Sequence, residues 1–479
     1  MEKTVKPTLK LNYKRTFLIG FAFFGILLFW QVYDSWCPTL LSELFKDALH
    51  TTDEKSVQYL VGVVMAMDNL AALILLPIFG HLSDKTNTRI GKRMPYILIG
   101  TFVCAVAFPF IPVFYHYNNV AGVVIMMAIV VCFMMMYRNP AVALMPDLTP
   151  KPLRSKANGI INIMGYIGGA FATVVGIVFV LSDYLGTKLL PDGSPAPHTW
   201  AYNNIWALEA PFLIASVLMV VSAVVLFVKI KENEVKEEIA DELRLGEEMS
   251  ATEDKVDDDK PMTRANKIML FLILGAEFFW FMADNGVGTF MGNFTVYHLG
   301  ASTSSNMINT IIGGVGSVIG FAIGGIIASK IGRKWTVVSG LALSLFAYII
   351  WIVGTFTFLK GAAGGGQFPP IIWVIWLIKG FGMSLVHLNS FPMVVELCNA
   401  KKIGAFTGYY YASSMAAQTI TPIALGSLFL IEDYFDWGYL PVYAAACLVI
   451  SLAIFMFVKN VKTNKEKITV GLEAIGSDD

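Results

Sequence analysis

Charge is scarce in this chain of 479 residues: Asp, Glu, Lys and Arg together make up 15%, where a soluble chain carries roughly a quarter. The 35 acidic and 35 basic side chains cancel, so no global field argues for nucleic acid. Cysteine is scarce too. Cys37, Cys104, Cys132, Cys398 and Cys447 are scattered, with no Cys-x-x-Cys spacing; zinc and redox motifs are excluded, and small apolar side chains remain. The six histidines form no ligand or nucleophile–base cluster within a loop. No catalytic residue, metal or cofactor is therefore expected, and a membrane-embedded enzyme is set aside. No polar segment is long enough to fold as an ATPase domain, and the glycine-rich stretch Gly361 to Gln367 lacks the Lys-Ser/Thr ending of a phosphate loop.

What the chain has is grease. Hydrophobic residues make up 56%, with 34 Phe and 10 Trp. A helix needs about 20 apolar residues to cross ~30 Å of hydrocarbon. Twelve segments qualify: 16–40, 57–80, 95–114, 120–147, 157–182, 204–228, 267–290, 304–329, 335–359, 370–395, 404–431 and 439–459. The expected fold is an all-α membrane protein of twelve transmembrane helices in a lipid bilayer. The basic N-terminus runs into an apolar segment too long for a signal peptide, so the first span is read as retained. Of the 35 Lys and Arg, 29 fall in the tails and alternate loops on one side, 4 in the loops opposite, and Arg138 and Lys379 within spans. The positive-inside rule then puts both termini in the cytoplasm, with the cell membrane the expected location.

The longest polar break, 229–266, divides the spans six and six. The expected organisation is a bundle over 1–228, a solvated, partly helical cytoplasmic linker over 229–266, a second bundle over 267–459 and a cytoplasmic tail over 460–479. The halves repeat. FWQVYD (Phe29 to Asp34) in span 1 matches FWFMAD (Phe279 to Asp284) in span 7 at an offset of 250. Asp147 and Gly159 match Glu396 and Gly408 at 249, and Asp84 falls on Ser329 at 245. Six-helix repeats with a solute site at their interface are a transporter architecture.

The loop GHLSDKTNTRIGKR (Gly80 to Arg93) carries a His, four Lys/Arg and one carboxylate between apolar runs. It resembles the signature loop of the major facilitator superfamily. In its longer form, LPIFGHLSDKTNTRIGKRMPYILIG, it is similar to sucrose transporters and to the neighbouring glycoside–pentoside–hexuronide:cation symporters. RNPAVALMPDLTPKPLRSKANGIINIMGYIGG (Arg138 to Gly169) resembles the same region of the sucrose group. The resemblance implies a twelve-helix major facilitator fold and a latch role for Asp84 and Arg93. Gly80, Asp84, Arg89, Arg93, Asp147, Arg333 and Glu396 are the candidate gating residues, with Arg89, Lys92 and Arg93 able to bridge to Asp147 and Glu396 when the inner gate is shut. Plain positive-inside topology accounts for Lys85 and Lys92. Ser329 in place of an acid weakens the second copy.

Ionisable groups inside spans are costly, about 2.5–3.5 kcal/mol each at a helix centre, and are functional candidates by default. Depth along the helices pairs Asp68 with Arg138 and Asp284 with Lys379; His387 is the repeat mate of Arg138 at an offset of 249. Glu277 has no assigned cation. A carboxylate taken out of water without a partner holds its proton more tightly, so Asp68, Glu277 and Asp284 are the proton-coupling candidates. The sodium-using symporters of the related group place two acids before the span 2 proline where this chain has Ala72 and Leu76, which favours H+ over Na+.

A sugar offers hydroxyls to polar side chains and a C–H face to aromatic rings. Candidate binding residues are Trp30, Gln31, Asp34, Asn158, Asn162, Trp280, Asn285, Asn389, Tyr410 and Gln418. Trp373 and Trp376 read as interface belt anchors. Gly165, Gly168, Gly169, Gly313, Gly314 and Gly316 read as close-packing positions. The expected function is H+-coupled symport of a disaccharide or other glycoside, sucrose- or maltose-like, by alternating access in a monomer. A proton-coupled exporter of drugs or metabolites on the same fold is the alternative.

Overall fold

The structure, a computed structural model, describes residues 9–185, 204–253, 264–359, 368–395, 397, 403–431 and 435–459. Twelve long helices carry it. The first six are α1 (Tyr13–Leu49), α2 (Gln58–Lys85), α3 (Met94–Ala107, continued by Phe110–His116), α4 (Val120–Asp147), α5 (Arg154–Val178) and α6 (Ile205–Lys229). The second six are α7 (Arg264–Asn293), α8 (Thr303–Ile331), α9 (Arg333–Gly354), α10 (Pro370–Val395), α11 (Ile403–Leu428) and α12 (Leu440–Met456). Among the described residues, eleven helices have the length and apolarity of a membrane crossing. The one outside that set is α11, which carries three consecutive tyrosines (Tyr409, Tyr410, Tyr411) and Gln418. Its 26 residues still rise about 39 Å at ~1.5 Å each, and it packs between α2 and α7. Its polarity belongs to an inward-facing helix.

Local chemistry sets the helix ends. Asn12 and Asn119 accept from the backbone N–H of Arg15 (3.0 Å) and Gly122 (2.9 Å), starting α1 and α4. Gly332, at φ +84°, divides α8 from α9, a conformation that only glycine adopts without strain.

The buried apolar side chains form two large clusters, one drawn from residues 19–230 with Met307, the other from 270–458. The two sets of six helices meet through α2 with α11, α5 with α8, and α1 with α7. At the first of these, Gly62 lies against the Pro422 carbonyl and Gly426 against that of Gln58; any side chain there would force the helices apart. Gly168 and Gly316 act as expected, against the backbones of Phe24 and Leu377. Gly314 does not: a Cβ there would meet nothing within 4 Å.

The face where α1 begins and α6 ends also carries two short helices, Glu232–Glu238 and Ala240–Glu253; it is called the linker face here, and its opposite the far face. The described start of the linker is docked rather than solvated. Glu232 is 3% exposed. Its carboxylate accepts from the backbone N–H groups of Lys92 (3.0 Å), Arg93 (3.0 Å) and Met94 (3.1 Å), filling the orphan donors at the start of α3. Asn233 donates to the carbonyls of Thr88 (3.0 Å) and Arg89 (3.2 Å). The second short helix rests on the α4–α5 turn, where Gly246 meets Pro150 and Pro152.

Candidate functional site

Two polar chambers lie between the halves. The first, about 390 Å³, is walled by α1, α2, α4, α7 and α11, with Trp30, Asp68, Asn69, Arg138, Asn285 and Gln418 among its polar groups. The second, about 340 Å³, is walled by α1, α7, α8 and α10, with Gln31, Asn306, Thr310, Ser317, Trp376 and Lys379 among its lining. They share Asp34, Gly288 and Thr289, where α1 and α7 pass each other.

The periodicity of 3.6 explains who reaches the first chamber. Trp30 and Asp34 are four apart on α1, Asp68 and Ala72 on α2, Phe281 and Asn285 on α7, Ser414 and Gln418 on α11, each pair stacked on one helix face. Asp34 is exposed to the cavity and Asp68 nearly closed off from it. Asp68 accepts from the backbone and side-chain nitrogens of Asn69, at 2.5 and 2.8 Å. Its expected ion pair with Arg138 is not formed: both side chains line one chamber, yet Arg138 joins no ion pair within 4.0 Å among the described residues. Depth along a helix fixes height and not azimuth, which is where that pairing failed. Trp30 Nε1 and Asn285 Oδ1 are buried there without a hydrogen-bond partner.

Asp284 and Lys379 do meet, as an ion pair at the edge of the second chamber. His387 stands against the ring of Phe281 at 5.5 Å and within the field of that pair. Glu277 is elsewhere. It is 0% exposed, lines neither chamber, and neither carboxyl oxygen has a hydrogen-bond partner among the described residues.

Of the other sugar candidates, Gln31 and Gln418 stand in the chamber walls. Asn158, Asn162, Trp280, Asn389 and Tyr410 do not line these two chambers. Trp280 packs on Phe455 of α12, Asn389 donates to the Leu385 carbonyl (2.9 Å), and Tyr410 bonds Ser390 (2.9 Å). Trp376 corrects the belt reading. It is 7% exposed, crosses the Trp351 ring at 4.9 Å and faces the second chamber. Asn69, Thr310, Ser317, Gly288 and Gly314 were missed as well; their four-residue spacing on α8 and adjacency to Asp68 were the available signals.

The candidate gating residues gather on the linker face. Arg93 reaches Asp147 (2.8 Å), Asp84 (2.5 Å) and Ser83 (2.5 Å), and Lys92 joins Asp147 at 3.0 Å. All of these described contacts lie within the first half. Burial works against the Arg93 charge, and Asp147 and Asp84 outweigh it, holding the guanidinium above its ordinary value. The Arg89 side chain is exposed, Gly80 packs on Asn139, and Arg333 is buried. Glu396 lies outside the described residues.

The described hydrogen bonds that join the halves cluster at the far face instead. Asn293 Nδ2 donates to Ser42 (2.8 Å) and Gln58 (3.0 Å), and all three residues are 0% exposed. Tyr297 donates to Glu43 (2.6 Å) beneath Lys46, whose ammonium sits 5.1 Å from the phenol ring. Ser182 meets Ser302 (3.3 Å) and Thr303 (3.4 Å). Nothing in composition or spacing announces this lock.

Comparison with known proteins places the architecture. The chain is similar in fold to the xylose transporter XylE from E. coli in a partially occluded inward open conformation (TM-score 0.65, 14% identity, 94% of this chain and 99% of that one). It is similar to the POT family transporter PepTSo (TM-score 0.64, 13% identity, covering 94% and 98%). It also resembles a bacterial homologue of the iron transporter ferroportin in an inward-facing state (TM-score 0.63, 12% identity, covering 93% and 99%). No curated protein matches the chain in sequence. The family model described as Major Facilitator Superfamily matches residues 2–173, 61–357 and 269–474. Two repeated sets of six helices around a shared polar interior agree with that match, and the chain belongs to the major facilitator superfamily.

Proposed function

We propose that this secondary transporter moves a disaccharide or similar glycoside together with H+, by alternating access. The observation that carries the reading is the first chamber: an indole N–H without a partner and a guanidinium without an ion pair among the described residues, two carboxylates and three amides converge on one cavity. An aromatic face beside planar, bidentate polar groups is what a ring of hydroxyls requires. The likeness of the Gly80–Arg93 loop and the Arg138–Gly169 stretch to the sucrose group supports the same class.

Cation coupling is supported by charge. Across the two chambers three carboxylates, Asp34, Asp68 and Asp284, face two cations, Arg138 and Lys379. Uptake of one positive charge balances the interior before the halves rock, and a balanced interior is cheaper to enclose in lipid. Asp68 and Asp284 remain the carriers of choice, with Glu277 a candidate apart from the solute. Ala72 and Leu76 offer no acid for Na+.

With the linker face in the cytoplasm of the cell, as the Lys and Arg distribution favours, the far-face lock closes the outside. The protein is then drawn with its outer gate shut. Counterflow in proteoliposomes with a panel of labelled mono- and disaccharides, with and without an imposed pH gradient, tests the reading. Disaccharide counterflow, with accumulation when the side of uptake is acid, is expected. Gradient-independent exchange of non-sugar solutes alone refutes it.

A further inference from the structure

The two chambers are copies of one another. On α2, Met65, Asp68, Asn69 and Ala72 line the first; 245 residues on, Thr310, Gly313, Gly314 and Ser317 line the second. On α7, Phe281, Asn285, Gly288 and Thr289 line the first; 250 residues back, Gln31, Ser35, Pro38 and Thr39 line the second. Asp34 and Asp284 exchange under the same relation. The interior repeat is therefore expressed as two sites, and the differences between them are chemical.

At the equivalent positions an acid and an amide have become Gly313 and Gly314, and a methionine and an alanine have become Thr310 and Ser317. Charge is withdrawn and hydroxyls are added. The ionised groups left at the edge, Asp284 and Lys379, satisfy each other. Glycine leaves a flat wall: a Cβ at Gly314 or Gly288 would meet nothing within 4 Å, and at Gly313 it would meet the Trp376 ring at 3.3 Å. The indole of Trp376, held by Trp351 at 4.9 Å, packs its edge directly on Gly313 and borders the open strip of Gly314 and Gly288. A side-chain-free strip beside an aromatic edge, flanked by Gln31, Thr310 and Ser317, fits an uncharged hydroxylated ring.

We propose that the chamber beside Trp376 is a second glycosyl subsite, so that the transported solute is a glycoside of at least two units laid across Asp34, one unit at Trp30 and the next at Trp376. This rests on the sugar reading above and adds to it a place and a size.

The test is Gly314→Leu, which fills the second chamber and leaves Arg138, Asp68 and Trp30 alone. Gly314→Ala is the milder partner should the larger side chain hinder folding, and Trp376→Ala removes the indole instead of filling the space. Labelled disaccharide and monosaccharide counterflow are read side by side. Disaccharide exchange is expected to fall about tenfold or more in Gly314→Leu, the scale of steric discrimination in a pocket, and less in Gly314→Ala. Trp376→Ala is expected to lose disaccharide exchange as well. Monosaccharide exchange is expected to stay within about twofold in all three. Equal loss of both sugars, or no loss of either, overturns the second subsite. Monosaccharide exchange alone in the unaltered protein overturns it while the sugar reading stands. Absence of all sugar exchange in the unaltered protein sinks both.

Discussion

Asn293 ties the two halves together at the far face. Its side-chain nitrogen holds Ser42 and Gln58 together in a site closed to water. Asn293→Ala removes both bonds. The loss is tempered on each side. Ser42 keeps the Pro38 carbonyl (3.0 Å), Gln58 keeps that of Glu54 (2.6 Å), and Asn293 Oδ1 has no partner to lose. Two neutral bonds at about 0.5–1.5 kcal/mol each amount to about 1–3 kcal/mol, with Gln58 Oε1 left only the Ser42 hydroxyl at 3.5 Å. That corresponds to a population shift of roughly 5- to 150-fold towards the state open at the far face. Thr310→Cys, in the second chamber, supplies a reporter for a membrane-impermeant thiol reagent added at that face. Its labelling rate is expected to rise by the same factor in Asn293→Ala. Thr295→Ala is the control. Thr295 is equally buried two residues on, and its hydroxyl bonds only the Met291 carbonyl of its own turn. Equal labelling of the two variants would refute the lock.

Three other substitutions separate structure from coupling. Glu232→Ala strips a carboxylate from three backbone N–H groups and is expected to cost about 1.5–3 kcal/mol, read as a lower apparent Tm with a thiol-reactive dye reporting release of buried Cys104; Glu234→Ala, on the exposed side of the same helix, is expected to leave it unchanged. Asp284→Asn or Lys379→Gln alone leaves an unpaired charge in the interior, about 3–5 kcal/mol, and is expected to reduce monodisperse protein on size exclusion. The double variant is expected to recover it, and additive losses would argue against a direct pair. Glu277→Gln is expected to retain sugar counterflow and lose accumulation driven by a pH gradient; full accumulation removes Glu277 from the coupling route.

Hydropathy made the helices legible because crossing lipid demands length and apolarity, which are properties of a segment by itself. The α11 exception follows from its surroundings: Tyr410 is buried against Ser390 and Phe391 of α10 and Gln418 faces the first chamber, so neither polar group is exposed to lipid. The repeat was legible through FWQVYD and FWFMAD, and it carried further than expected, down to matching walls of two cavities. Asp284 and Lys379 were found because both height and azimuth happened to agree. Asp68 and Arg138 share the height alone. Trp376 was misplaced for a related reason: nearness to a helix end says how deep a residue sits, not whether it faces lipid. Glu232 and the Ser42–Gln58–Asn293 lock were beyond reach, since each joins segments far apart in sequence with no charge excess to announce it.

The described contacts of Arg93 stay within one half, and Glu396, its expected partner across the halves, lies outside the described residues. A gate contact is made in one state and broken in another, whereas contacts inside a rigid half survive when halves rock. Arg93 binds Ser83, Asp84 and Asp147, and Glu232 binds the backbone beneath it, so the loops after α2 and α4 and the start of the linker form one plate. At the position equivalent to Asp84 in the second half, Ser329 bonds the Ile326 carbonyl at 2.7 Å, within its own helix. Asp147→Asn makes the distinction measurable. Asp147 is partly buried and receives both Arg93 and Lys92, so losing its charge is expected to cost about 1–3 kcal/mol of stability and lower the apparent Tm. A plate predicts that labelling at Thr310→Cys stays as it was, because both states lose equally. A latch predicts that it changes, since weakening a contact present in only one state must move the balance between them. Thermal loss without a change in labelling assigns Asp147 to the plate; a change in labelling matching that of Asn293→Ala, in either direction, returns it to the gate.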